Sequence, residues 1–410
     1  MSKSVPAPSS SANVPHRAVT SAVSAQRAAT SLLIVVVFLY WAALYLYTPT
    51  LPTYVQTKTA NLALVGVVLS MYGLWQAVIR LPLGIAADWT GRRKPFILLG
   101  LALAGLGALL MGTAPDVQGI LIGRAITGLA AGTWVPLVVV FSGLFSPAEA
   151  VRATSLLTLV GSLGRVLATS VTGYLNDLGG YPLAFLLATG LAGLAVALML
   201  AFPEARRPYR RPSPTAIGIL ITRRDVLMPS LLGAVVQFAH WGSTFSFLPI
   251  LAKQLGASDV ALSALVSLNI VLYTVGNLVA TALVSRLGSR RIVYLSFLTL
   301  AIGVAGAALA PALFWLFVLQ GLIGLAVGVC YPVLMGMSIE QVVDAERTTA
   351  MGLHQSVYAI GMFGGPWLSG VMAEAFGLRL MFAIIGLAAL LLGWLGTRFL
   401  VQPGNPTRDS

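Results

Sequence analysis

Long apolar stretches recur along this chain, separated by short clusters of Gly, Pro, Asp and Arg. A helix needs about 20 apolar residues to cross a bilayer. Runs of that length fall near 31–55, 61–87, 95–113, 117–144, 150–175, 181–202, 226–251, 259–284, 291–310, 312–337, 347–373 and 378–401, which predicts an all-α membrane protein of twelve transmembrane helices. The spans differ in how polar residues are spaced within them. The third, FILLGLALAGLGALLMG, and the twelfth, LMFAIIGLAALLLGWLG, are apolar almost all round, as are the sixth and ninth. Such helices can face lipid. Others carry polar or aromatic residues on one face: Tyr72, Gln76 and Arg80 in span 2, and Asn269, Tyr273 and Asn277 in span 8. Span 1 adds Trp41 and Tyr45, span 7 Gln237, His240 and Trp241, span 10 Tyr331, and span 11 His354, Gln355 and Tyr358. Polar groups are costly in hydrocarbon, so these faces are expected to line an internal cavity or meet polar partners.

Composition supports the bilayer as solvent: 58% of the 410 residues are hydrophobic and 9% are charged, against about 45–50% apolar content in soluble domains. A water-soluble globule is excluded. The lone Cys330 lies inside an apolar span, which rules out an intrachain disulfide and leaves packing as its role. A net charge of +13 raises the question of nucleic acid, and the placement of the charge answers it. With the N-terminal segment taken as cytoplasmic, inner segments hold Arg92, Arg93, Lys94, Arg206, Arg207, Arg210, Arg211, Arg286, Arg290 and Arg291 among others, while outer segments hold only Lys58, Lys253 and Arg379. This is the positive-inside bias. It predicts a cell-membrane protein of the bacterial inner-membrane type, both termini cytoplasmic, and no nucleic-acid partner. Residues 1–30, rich in Ser, Ala and Pro without an apolar core, read as a disordered tail.

A shift of 197 positions brings the halves of the chain into register: Pro52 falls on Pro249, Gly91 on Gly288, Glu149 on Glu346, Gly173 on Gly370 and Phe185 on Phe382. Two fused six-helix units, 31–202 and 226–401, joined by a Pro- and Arg-rich cytoplasmic linker at 203–225 and followed by a tail at 402–410, account for this. Span 4 carries Arg124, Gly128, Gly132 and Pro136 at steps of four, and span 10 carries Gln320, Gly324, Gly328 and Pro332. Glycines four apart share a helix face and let a neighbouring helix approach.

The stretch GIAADWTGRRKP, residues 84–95, crowds Asp88, Arg92, Arg93 and Lys94 into a chain otherwise poor in charge. Gly84, Asp88, Gly91, Arg92 and Arg93 resemble the loop signature of the major facilitator superfamily, and Arg124 with Gly128 and Gly132 is similar to the span 4 signature of its proton-linked antiporters. YTPTLPTY, at the end of span 1, resembles drug exporters of that group. The resemblance covers residues 31–401. It implies two pseudo-symmetric halves that rock around a central site, with Asp88 as a cytoplasmic latch that pairs with Arg92 and approaches the start of span 11 near Arg347. In the second copy, TALVSRLGSRRI, Ser285 replaces the acid. In span 5, Arg165 stands where these antiporters carry a small residue or proline.

No Asp or Glu falls in the interior of a predicted span, so Arg124 and Arg165 are the candidate central charges, with His240 and His354 able to become cationic. Trp41, Tyr45, Tyr72, Gln76, Gln237, Trp241, Asn269, Tyr273, Tyr331, Gln355 and Tyr358 complete the candidate binding set. The expected function is secondary active transport by alternating access, as an exporter of a small amphipathic neutral or anionic molecule, with protons a candidate coupling ion. The alternatives are a multidrug/proton antiporter for cationic drugs and a non-transporting sensor on the same fold. An enzyme is disfavoured, since no metal-ligand spacing, nucleophile motif or phosphate loop occurs, and no cofactor or metal is expected.

Overall fold

Helix α1 runs His16–Tyr45, so residues 16–30, expected as part of a tail, are helical. The alanines in HRAVTSAVSAQRAAT are strong helix formers. This computed structural model describes residues 16–146, 149–203, 214–343 and 346–400; residues 1–15, residues 204–213 of the linker and the 402–410 tail lie outside that description.

After a turn, span 1 resumes as α2 (Leu51–Gln56), with Pro52 in its first turn, where the missing N–H has no helical partner to lose. Helices α3 (Leu62–Thr90), α4 (Lys94–Thr113), α5 (Val117–Gly132) and α6 (Trp134–Ser142) supply spans 2 to 4. Spans 5 and 6 form one long element, α7 (Ala150–Ala201), divided where Gly179 and Gly180 leave helical geometry. A short α8 (Pro214–Thr222) precedes the second half. There, span 7 is α9 (Arg224–Gly242), a π-helical turn at Ser243–Phe247 and α10 (Leu248–Gln254). Helices α11 (Asp259–Leu287), α12 (Ser289–Gly306), α13 (Leu313–Met337), α14 (Arg347–Phe376) and α15 (Leu378–Arg398) follow.

Among the described residues, nine helical stretches are long and apolar enough to cross a membrane. Helix α7 supplies two crossings from one such stretch. The interrupted α9–α10 and the polar-diluted α14, with Thr, His, Gln and Ser in its first three turns, complete twelve in two halves of six.

The repeat is visible in the backbone. The only residues with left-handed φ among those described are glycines, and four of them form repeat pairs: Gly91 (62°) with Gly288 (80°), and Gly180 (69°) with Gly377 (82°). Each closes the turn between consecutive spans in a conformation that costs other residues a Cβ clash. Pro249 opens α10 as Pro52 opens α2.

The halves meet along two equivalent seams, α3 on α14 and α7 on α11. A Cβ added at Gly173 would strike the backbone of Asp259 and Val260, and one at Gly370 the backbone of Leu62 and Gly66, the same contact related by the repeat. Gly128 and Gly324 perform the matching service inside each half, against the backbones of Met71–Tyr72 and of Asn269. The span 4 and span 10 glycines are thus close-packing devices.

Hydrogen bonds clasp the seams at the end of the bundle opposite the linker. Gly173 N–H donates to Ser263 Oγ at 2.7 Å, Thr169 and Ser267 hydroxyls pair at 2.7 Å, and Leu62 N–H donates to Glu374 at 2.6 Å. Asn176 donates to Asp259 at 2.8 Å and to Thr50 at 3.0 Å, while Lys253 pairs with Asp259 at 2.5 Å. Towards the linker end, an added Cβ on Gly84 would meet nothing within 4 Å. On the outer rim, Leu99 and Leu106 of α4 and Leu387, Leu391 and Trp394 of α15 are exposed, as lipid-facing helices require.

Candidate functional site

The glycine-mediated approach of α3, α5, α7, α9 and α14 brings most of the candidate residues into one band at mid-depth. Two guanidiniums anchor it in the first half. Arg124, only 2% exposed on α5, lies with its guanidinium carbon 4.4 Å from the Tyr72 ring centroid, and its Nε has no hydrogen-bond partner. Arg165 on α7 lies 4.9 Å from the Trp41 ring and 5.7 Å from Tyr45. Its own helix takes part of its donor capacity, through Gly161 O at 3.3 Å and Ser162 Oγ at 3.1 Å.

Aromatic rings connect the two. Tyr72 stacks on Trp241 of α9 at 5.2 Å, Trp241 contacts Phe245 at 4.8 Å, and Phe245 meets Tyr45 edge-on at 6.1 Å. The chain of rings crosses from the first half to the second and back, so a planar ligand between the arginines would touch both halves. Trp41 extends it to Trp134 at 5.1 Å. Phe245 and Trp134 were not among the sequence candidates. Phe245 lies within the π-helical turn and Trp134 directly after Thr133, where helical spacing no longer tells which way a side chain points.

The second half contributes neutral polar groups. His240 Nε2 and Asn269 Oδ1 are 3.0 Å apart, Asn269 donates to Gln320 O at 3.1 Å, and Thr244 donates to Gln320 Oε1 at 3.1 Å. The His240 ring lies parallel to Tyr273 at 6.4 Å. Gln76 and Gln237 are buried, each with an unpartnered Oε1. A buried polar atom without a partner costs about 1–3 kcal/mol. Such atoms mark places where a ligand can supply the missing bond.

Closer to the linker end lies a second cluster. Arg80 of α3 donates to Tyr358 Oη at 2.7 Å and to Gln355 O at 3.4 Å, so an arginine of one half is held by α14 of the other. Gln355 takes part through its carbonyl, not its side chain. Tyr331 meets Tyr358 at a right angle, 5.6 Å between centroids, and His354 lies 6.2 Å from Tyr358. Of the latch residues, Gly91 makes the left-handed turn described above and Arg92 is exposed. Arg93 is half-buried, and the Asp88 side chain lies outside the described residues.

Comparison with known proteins matches this architecture. The sequence profile of the Major Facilitator Superfamily matches residues 33–230 and again 230–410, one copy per half. The chain belongs to the Major Facilitator Superfamily. It is similar to a chloramphenicol efflux pump of Mycobacterium tuberculosis, 26% identical over 92% of this chain and 93% of that protein. A shorter match, 37% identical, joins 22% of this chain to 19% of the inner membrane transport protein YajR of Escherichia coli. Among solved structures, a bacterial homologue of the human lysosomal transporter Spinster, in an inward-facing and unoccupied conformation, covers 93% of this chain with a TM-score of 0.75 at 15% identity. The nucleoside transporter NupG covers 90% with a TM-score of 0.73 at 17% identity. At those identities the structures establish the fold. Within this superfamily the chain is a multi-pass secondary transporter of small molecules.

Proposed function

We propose that this facilitator-family chain exports a small amphipathic molecule, neutral or anionic, from the cytoplasm. The observation that carries the substrate class is the pair Arg124 and Arg165, joined by Tyr72, Trp241, Phe245 and Tyr45, with every carboxylate of the sequence at a span edge, in a loop or in a tail. Guanidiniums that face no acid attract anions and repel cations, and the effect strengthens at low dielectric. The rings supply stacking surface for an aromatic or amphipathic body. The full-length resemblance to a chloramphenicol efflux pump supports export and a neutral aromatic scaffold. A cationic drug would meet like charge in the same band.

One scaffold in three charge states tests this reading. In proteoliposomes, chloramphenicol and its anionic succinate ester are expected to be carried faster than the cationic amine left by removing the dichloroacetyl group. Faster transport of the amine than of both others would overturn it.

The Lys/Arg asymmetry supports a cytoplasmic linker end, and the bacterial efflux relatives support a bacterial cell membrane. With Cys330 replaced by Ser, a membrane-impermeant maleimide added to intact cells is expected to label a cysteine at Lys58 and to miss one at Arg92. The opposite pattern inverts the orientation.

A further inference from the structure

With acids confined to span edges, loops and tails, the side chains inside the bundle that can take up a proton near neutral pH are His240 and His354. Their surroundings differ. His240 Nε2 is engaged by Asn269 in a network that continues through Gln320 to Thr244. His354 is fully buried, and its ring is held through the other nitrogen, Nδ1, 3.1 Å from Ser230 Oγ. The Ser230 hydroxyl donates to Val226 O at 2.6 Å, so its oxygen accepts from His354, and the ring hydrogen sits on Nδ1. Nε2 is then a bare lone pair, and it has no hydrogen-bond partner among the described residues. A buried acceptor left unsatisfied in a native protein calls for an explanation.

The neighbours of that nitrogen suggest one. Tyr358, one turn along α14, has its ring centroid 6.2 Å from the imidazole and 5.2 Å from the Arg80 guanidinium carbon, and its hydroxyl accepts the 2.7 Å bond from Arg80. Among the described residues the groups facing His354 are few, and the side chain of Asp88 on α3 lies outside that description. Helix α3 presents Arg80, α13 presents Tyr331, α9 presents Ser230 and Gly233, and α14 itself presents Tyr358. Helix α8 and the π-helical turn carry no titratable side chain, and the charges of α15, Arg379 and Arg398, are at its ends.

We propose that His354 is the coupling-proton site of this carrier, and that a proton on its Nε2 opposes the Arg80–Tyr358 bond that ties the two halves. The step is a simple protonation: H+ from the aqueous cavity forms an N–H bond at Nε2, and a neutral ring becomes an imidazolium that faces no carboxylate among the described residues. A second cation placed roughly 10 Å from a guanidinium, at an effective dielectric of about 20, changes the balance between the tied and parted states by about tenfold. By linkage, parting the halves raises proton affinity by the same factor. The proposal rests on the carrier reading, but its test uses no substrate.

The full chain in nanodiscs, with Cys330 replaced by Ser and spin labels at the exposed Arg92 and Ser285, one at the linker end of each half where the Arg80–Tyr358 bond lies, reports the separation of the halves there by pulsed electron paramagnetic resonance. Between pH 8 and pH 5.5 the population ratio is expected to move about tenfold toward the longer distance. His354→Gln is expected to hold the high-pH distribution throughout. In parallel, 15N-histidine spectra of the wild type should show the His354 ring becoming doubly protonated in that range. In Tyr358→Phe the ring should still titrate while the distance response falls away. A His354→Gln or Tyr358→Phe protein with the full wild-type response, or a His354 ring that stays neutral down to pH 5, overturns the proposal. A failed charge preference among the chloramphenicol analogues would leave these outcomes unchanged.

Discussion

Gly73→Leu is expected to slow transport severely while leaving both six-helix halves folded. Gly73 lies on α3 where it crosses α14, and a Cβ there would collide with the backbone of Met362 and Phe363, which no rotamer change relieves. Overpacking a core with side chains costs about 1–3 kcal/mol, and a backbone obstacle makes that a lower bound. At about 1.4 kcal/mol per factor of ten, the clasped state falls by about fivefold to a hundredfold, and turnover, which must pass through it, slows with it. The contacts inside each half, such as Gly128 on Tyr72 and Gly324 on Asn269, are untouched. Flux in proteoliposomes should therefore drop by about fivefold to a hundredfold, with each half still folded. A cysteine at Ser267, whose hydroxyl is paired with Thr169 across the other seam, should become reactive to an impermeant maleimide. Near-normal flux in Gly73→Leu would mean that the seam does not close during transport.

Arg124→Gln is expected to have the largest effect on recognition. The guanidinium is buried against Tyr72, and its Nε donor is unpartnered. A hydrogen bond from a charged group contributes about 1.5–3 kcal/mol, and the field of the cation adds to it for an anionic ligand. For the succinate ester of chloramphenicol the substitution should raise KM by roughly ten- to hundredfold. Neutral chloramphenicol should lose less, because glutamine retains a donor. The signature is the split between the two compounds. Equal losses for both would assign Arg124 to holding Tyr72 in place, and unchanged KM values for both would remove it from the site.

Much of this architecture is legible in the sequence because bilayer physics is strict. Apolar length reveals the spans, and the offset that carries Pro52 onto Pro249 and Gly91 onto Gly288 reveals the halves, since proline and glycine there answer to backbone geometry. Polar faces on α3, α9, α11 and α14 point to the central band for the same reason: Gln76 or His240 facing lipid would be prohibitively costly. What periodicity misses lies at interruptions. Phe245 lies inside a π-helical turn that breaks the helical step, and Trp134 follows the break at Thr133. The role of Arg80 was also hidden, because its partner Tyr358 belongs to the other half and no spacing rule relates them.

The glycine seams also bear on how such a carrier can evolve. Every single-base missense change in a glycine codon introduces a residue with a side-chain carbon, and at Gly66, Gly73, Gly173 and Gly370 that carbon lands on backbone. These four positions have no neutral mutational neighbours through which a lineage could drift. Heritable change in what is carried is therefore channelled into the aromatic band, where exchanges such as Tyr to Phe at Tyr45 or Tyr72 alter a hydroxyl and leave the seams intact. A population under selection by a new toxic compound should collect its substitutions there.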